Sequence, residues 1–231
     1  MSETLTITTP DGDFSAYVAR PQADNAPAIV VIQEIFGVNK VMRDIADGLA
    51  AQGYVAIVPD LFWRIEPGID ITDQSEAEWK RAFELFNAFD VDAGVSDIGA
   101  TIAAARALDG VNGKIGAVGY CLGGLLAFLT ATRTDVDASV SYYGVGLEKH
   151  VGEAEKLNKP LLMHIAEKDQ FVPPEARQVI LAALKDHPQI EIHLYEGRDH
   201  AFAREGGAHY DAADAAKANG RSLTFFQKAL G

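Results

Sequence analysis

The sequence predicts an α/β protein with a mostly parallel, doubly wound sheet and helices on both faces. Three observations carry that expectation. Strand-like and helix-like stretches alternate along all 231 residues without an internal linker, repeat or low-complexity segment, so a single domain spanning 1–231 is expected. The run Ala28-Ile-Val-Val-Ile-Gln33 is continuously apolar and β-branched, as a strand covered on both faces requires. Lys114-Ile-Gly-Ala-Val118 passes through Gly119-Tyr-Cys-Leu-Gly123 into Leu125-Leu-Ala-Phe-Leu-Thr130, a buried strand turning sharply into a helix.

The elements follow in order. Residues 5–9 and 14–19 alternate apolar and polar side chains about Pro10-Asp11-Gly12, which reads as a hairpin at the sheet edge. After the strand at 28–33, residues 38–52 repeat at helical spacing through Val41, Ile45 and Leu49 and close at Gly53; the next strand is Tyr54-Val-Ala-Ile-Val58. Residues 60–74 carry Pro, Gly and several Asp and read as a surface loop of a length that often serves function. Helices are expected at 75–89 and 93–108, then the strand at 114–118 and its turn, and a strand at 137–142. A strand at 160–166, a helix at 174–185, a last strand at 190–195 and a final helix at 210–230 complete the chain.

Composition narrows the class of function. An apolar content of 48% supports a sizeable core, and no apolar run reaches bilayer length. The first ten residues show no basic segment leading into an apolar one, so a cytoplasmic location is expected and a membrane is not a partner. A net charge of −13 argues against nucleic acid, whose phosphates demand clustered Lys and Arg. The single cysteine, Cys121, rules out an internal disulfide and a cysteine-cluster metal site.

Gly119 and Gly123 flank Cys121 as glycines flank the reactive residue of a nucleophile elbow. Free cysteines are more often inert and buried, but a thiol at this tip faces a helix N-terminus that favours a thiolate, and the Leu122 amide can hold an oxyanion. Such a nucleophile needs a base and a group that orients it, each from a strand end. Asp169 lies just past the strand at 160–166, and His200 follows the last strand within Glu196-Gly-Arg-Asp-His-Ala-Phe202. The order Cys121, Asp169, His200 is that of an α/β-hydrolase triad. Asp199 is a weaker competitor for the acid, and His150, His164, His187, His193 and His209 read as surface or satisfied core residues. Glu34 ends the central strand; from the residues alone it reads as a solvated strand end or as a carboxylate acting on the thiol. The Ile35 amide is the second candidate oxyanion donor.

With these residues placed, the chain resembles the dienelactone hydrolase family over nearly its whole length. The resemblance rests on Gln-Glu-Ile-Phe-Gly at 33–37, Ala-Phe-Asp at 88–90, Val-Gly-Tyr-Cys-Leu-Gly-Gly at 118–124, Tyr-Tyr-Gly-Val-Gly-Leu-Glu-Lys at 142–149, Asp-Gln-Phe-Val-Pro at 169–173 and His-Ala-Phe-Ala-Arg at 200–204. It implies an α/β-hydrolase fold, a Cys-His-Asp triad, a glutamate, Glu34, that holds the thiol until substrate binds, and an arginine, Arg204, that binds a substrate carboxylate. It also implies a second arginine where this chain has Trp79, with Arg81 two residues further along, and a tyrosine where it has Phe83.

The expected activity is therefore hydrolysis of a small, anionic lactone or enol ester through a cysteine acyl-enzyme, with no metal or organic cofactor implied. A broader carboxylesterase on the same scaffold and a non-catalytic binding or thiol redox-sensing module are the rivals. The sequence leaves the oligomeric state open.

Overall fold

The computed structural model describes residues 2–231. The chain forms two compact units, one ending at Ala117 and the other beginning at Val118.

In the first unit β1 (Ser2–Thr9) and β2 (Gly12–Ala19) form the expected antiparallel hairpin, in register from Ser2 opposite Ala19 to Thr9 opposite Gly12. β3 (Ala26–Ile32) is buried at every position, as its unbroken apolar run demands. α1 (Lys40–Ala51) starts where the Asn39 side chain accepts the Met42 amide. β4 (Val55–Pro59) pairs parallel with β3 and antiparallel with β2. α2 (Glu76–Ala88) is opened by Ser75, whose hydroxyl accepts the Glu78 amide while the Glu78 carboxylate accepts the Ser75 hydroxyl proton. α3 (Val91–Arg106) is opened by Asp90, which accepts the amides of Asp92 and Ala93.

β5 (Val111–Tyr120) begins three residues before the expected Lys114 and runs on into the second unit. There α4 (Leu122–Arg133) follows, buried at every position from Leu122 to Thr132. β6 (Ala138–Tyr142), β7 (Leu161–Ala166) and β8 (Ile190–Tyr195) pair parallel in turn, with α5 (Pro174–Leu184) between β7 and β8 and α6 (Ala212–Leu230) last. The strand order is β1-β2-β4-β3-β5 in the first unit and β5-β6-β7-β8 in the second, so the sheet has eight strands and is mostly parallel. Burial of α4 side chains such as Leu126, Phe128 and Leu129 contributes about 1.5–3 kcal/mol each to folding.

Two departures from the sequence reading matter. Residues 60–74 are loop, but not merely surface loop: Leu61, Phe62 and Ile69 are buried, and the Asp60 carboxylate accepts the amides of Phe62 and Gly68. Arg64 makes a bidentate pair with the buried Asp97 of α3, which also accepts the Trp63 indole N–H, so the segment is tied down at both levels. Between β6 and β7 the chain makes two 3-10 turns, Leu147–Lys149 and Val151–Lys156, where no helix was expected. Among the described residues no helix is long and apolar enough to cross a membrane.

Candidate active site

Cys121 stands between β5 and α4 with φ 58 and ψ −115, a conformation that a non-glycine residue occupies only under constraint. The constraint is visible. The Cys121 amide donates to the Tyr142 carbonyl at 3.1 Å, and its own carbonyl accepts from Gly124, Leu125 and Val145. A Cβ on Gly119 would fall 1.8 Å from the Gly123 oxygen, and one on Gly124 would fall 2.4 Å from the Tyr142 oxygen. Gly119 and Gly124 are thus required by contact, and the thiol caps no amide of α4. Leu122 occupies the first helical position, where an amide has no partner within the helix.

Asp169 and His200 come to the same place from the loops after β7 and β8. Asp169 Oδ2 lies 2.8 Å from His200 Nδ1, and Oδ1 accepts the Phe171 amide at 2.8 Å, so the carboxylate is held at both oxygens. Both side chains are buried, 1% and 5% exposed. His200 Nε2 is buried and faces the Cys121 side chain, with no hydrogen bond of full geometric quality among the described residues. Contacts between a base and its nucleophile commonly tighten only when substrate binds. Burial pulls the His200 pKa down, but the Cys121 thiolate and the Asp169 carboxylate outweigh it and raise the group to about 10. The arrangement can therefore hold an imidazolium beside Cys121 at neutral pH, oriented by a carboxylate that accepts the Nδ1 proton.

Three further positions shape this cluster. Phe171 and Tyr143 present their rings edge-on to the His200 imidazole, at 4.9 and 5.1 Å between centroids. Tyr143, with φ 38, and Ala201, with φ 60, are both forced into the left-handed region, a strain of about 1–3 kcal/mol apiece. Sequence reasoning gave these no role, because neither Tyr nor Ala announces positive φ, although all three lie within the motifs that carry the family resemblance. Asp199 is taken up by backbone, accepting the amides of His200 and Gln170. His164 is a satisfied core residue as expected, bonded to Ser222 and Tyr195, and burial holds its pKa well below the ordinary range. His193 pairs with Glu191.

Arg204 lies four residues beyond His200 and is buried at 7% exposure, unlike a solvated surface cation. In the first unit Glu34 and Ile35 follow β3 and are buried, so Glu34 is not the solvated strand end that was one of its two readings. Trp79 donates its indole N–H to the Asp73 carbonyl, stacks on Phe83 and meets the edge of Phe36, whereas Arg81 is engaged by Glu66 and Glu84. An open groove lined by Pro160, Ile190, Lys217, Arg221 and Phe225 contains none of Cys121, Asp169 and His200.

A family model described as the dienelactone hydrolase family matches residues 14–230. The chain belongs to the dienelactone hydrolase family. It is accordingly a hydrolase. A family relative from Azospirillum brasilense is 55% identical over 223 residues, covering 96% of each chain. The carboxymethylenebutenolidase of Pseudomonas putida is 45% identical over 226 residues, covering 97% of this chain and 96% of its own. Among solved structures, a Klebsiella pneumoniae protein superimposes with a TM-score of 0.85 at 28% identity, covering 98% of both chains. These dienelactone hydrolase relatives match from end to end, which carries the α/β-hydrolase fold with them.

Proposed function

We propose that the chain, acting as one domain over 1–231, opens carboxylate-bearing lactones or enol esters of the dienelactone type through a cysteine acyl-enzyme. The observation that carries this reading is the Asp169–His200 bond of 2.8 Å with Nε2 of the same ring open beside Cys121.

In the proposed reaction the Cys121 thiolate attacks the acyl carbon and the carbonyl electrons move onto oxygen. The Leu122 amide receives that oxyanion at the N-terminus of α4, with the Ile35 amide, on the loop after β3, as the second donor. As the tetrahedral intermediate collapses, the bond to the leaving oxygen breaks and the His200 imidazolium protonates it. The neutral imidazole then takes a proton from water, hydroxide attacks the thioester, and the thiolate departs. Glu34 is proposed to hold the thiol at rest, and Arg204 to bind the substrate carboxylate; the overall charge of −13 makes a buried cation the natural seat for an anion.

A broader carboxylesterase is the second reading, and one observation favours it. Trp79 occupies the position of the family's second arginine within an aromatic stack with Phe36 and Phe83, while Arg81 is spent on Glu66 and Glu84. Kinetics on dienelactone and on p-nitrophenyl acetate separate the two. A kcat/KM for the acidic lactone well above that for the neutral ester is expected, and Arg204→Ala should raise KM for the lactone far more than for the ester. Equal effects on both substrates would replace the first reading by the second. Cys121→Ala should abolish turnover of both; activity retained in that variant would remove the nucleophile.

A further inference from the structure

We propose that Tyr143 is a positioning residue for the hydrolytic base, and that the turn at residues 142–145 keeps nucleophile and base in register. The inference rests on the reading of Cys121 and His200 given above. One end of the turn grips the elbow: the Tyr142 carbonyl accepts the Cys121 amide at 3.1 Å, and the Val145 amide donates to the Cys121 carbonyl at 3.3 Å. At its middle, Gly144 packs backbone to backbone on α4, where a Cβ would lie 2.8 Å from the Gly124 carbonyl carbon. The other contact of the turn is with the base. The Tyr143 ring, 2% exposed, meets the His200 ring edge-on at 5.1 Å and Phe202 at 5.6 Å. The Tyr143 amide donates to the His164 carbonyl at 2.8 Å, which anchors the left-handed residue to β7. A bulky residue persists at φ 38 only where its surroundings over-determine it. Here the result is an edge-on ring contact that stops the imidazole from tilting off the line between Asp169 and Cys121.

Among the described residues, Cys121, Asp169 and the ring of Tyr143 face His200, with Asp199 on its backbone amide and the Phe171 ring against its own. Two readouts test the assignment, kcat against KM and the pH dependence of Cys121 alkylation by iodoacetamide, which needs no substrate. Tyr143→Phe, which keeps the ring, should hold kcat within about twofold, whereas Tyr143→Leu should lower it about 10- to 100-fold with little change in KM. In the Leu variant the alkylation rate at pH 6 should fall about tenfold, because a tilted imidazolium no longer supports the thiolate. Should Tyr143→Leu fail to fold, Tyr143→Met is read in the same assays. An unchanged alkylation profile in the Leu or Met variant, a loss confined to KM, or an equal loss in Tyr143→Phe would overturn the proposal. Failure of the underlying reading looks different: Cys121→Ala would keep its turnover in the otherwise native chain.

Discussion

A methyl group at Gly119 has nowhere to go. It would meet the Gly123 carbonyl oxygen at 1.8 Å, and that oxygen belongs to backbone that cannot rotate away. Gly119→Ala should therefore cost more than the roughly 1–3 kcal/mol of ordinary overpacking, read as a lowered Tm, and should abolish turnover even where folding survives. Asp169→Asn is the complementary case. It keeps the shape but exchanges an acceptor for a donor at His200 Nδ1, so kcat should fall by about 10² to 10⁴ with the fold intact by circular dichroism. At this scale the sequence was informative wherever a residue type is irreplaceable. Cys121 between glycines, Asp169 past a strand and His200 past the next were legible because chemistry restricts what can stand there. Tyr143, Phe171 and the burial of Arg204 were not, since each acquires its meaning from neighbours distant in the chain.

Helix starts show what local chemistry fixes. Ser75 and Asp90 mark the beginnings of α2 and α3 because their side chains replace missing acceptors for the first amides, and the helices begin within two residues of the positions expected. Asp90→Ala should cost about 1 kcal/mol, measured as a shift of the urea midpoint without a change in slope. The two 3-10 turns between β6 and β7 escaped notice for the opposite reason: three and six residues are too few to display a 3.6-residue period. The loop at 60–74 was legible as loop from its Pro, Gly and Asp. Its anchorage was not, because the Arg64–Asp97 pair joins residues that no local pattern connects.

Across the whole molecule, two shifted groups set opposite limits of stability with pH. The Arg133 guanidinium hydrogen-bonds Glu153 and holds its carboxyl at about 2, below the ordinary 4.5. A lowered folded pKa contributes stability that is complete above the ordinary value and is lost as pH falls from 4.5 through about 2. His200 works in the other sense. Its pKa rises from 6.5 to about 10, so its contribution is complete below 6.5 and is lost as pH climbs through about 10. Urea denaturation across this range should show stability falling at both ends, with the alkaline decline blunted in Cys121→Ala, which lacks the thiolate that sustains the imidazolium. The same imidazolium is the proton donor of the proposed acylation step, so kcat/KM should fall on the alkaline side near pH 10.

The chain has one sulfur atom of the thiol kind, and it sits at the tip of the elbow. Peroxide that converts Cys121 to a sulfenic acid finds no second cysteine with which that acid could condense into a protective disulfide. Recovery from oxidative injury must then come from an outside reductant such as a small cellular thiol. Without one, each further oxidant molecule carries the same atom toward sulfinic and sulfonic acids that the protein cannot reverse.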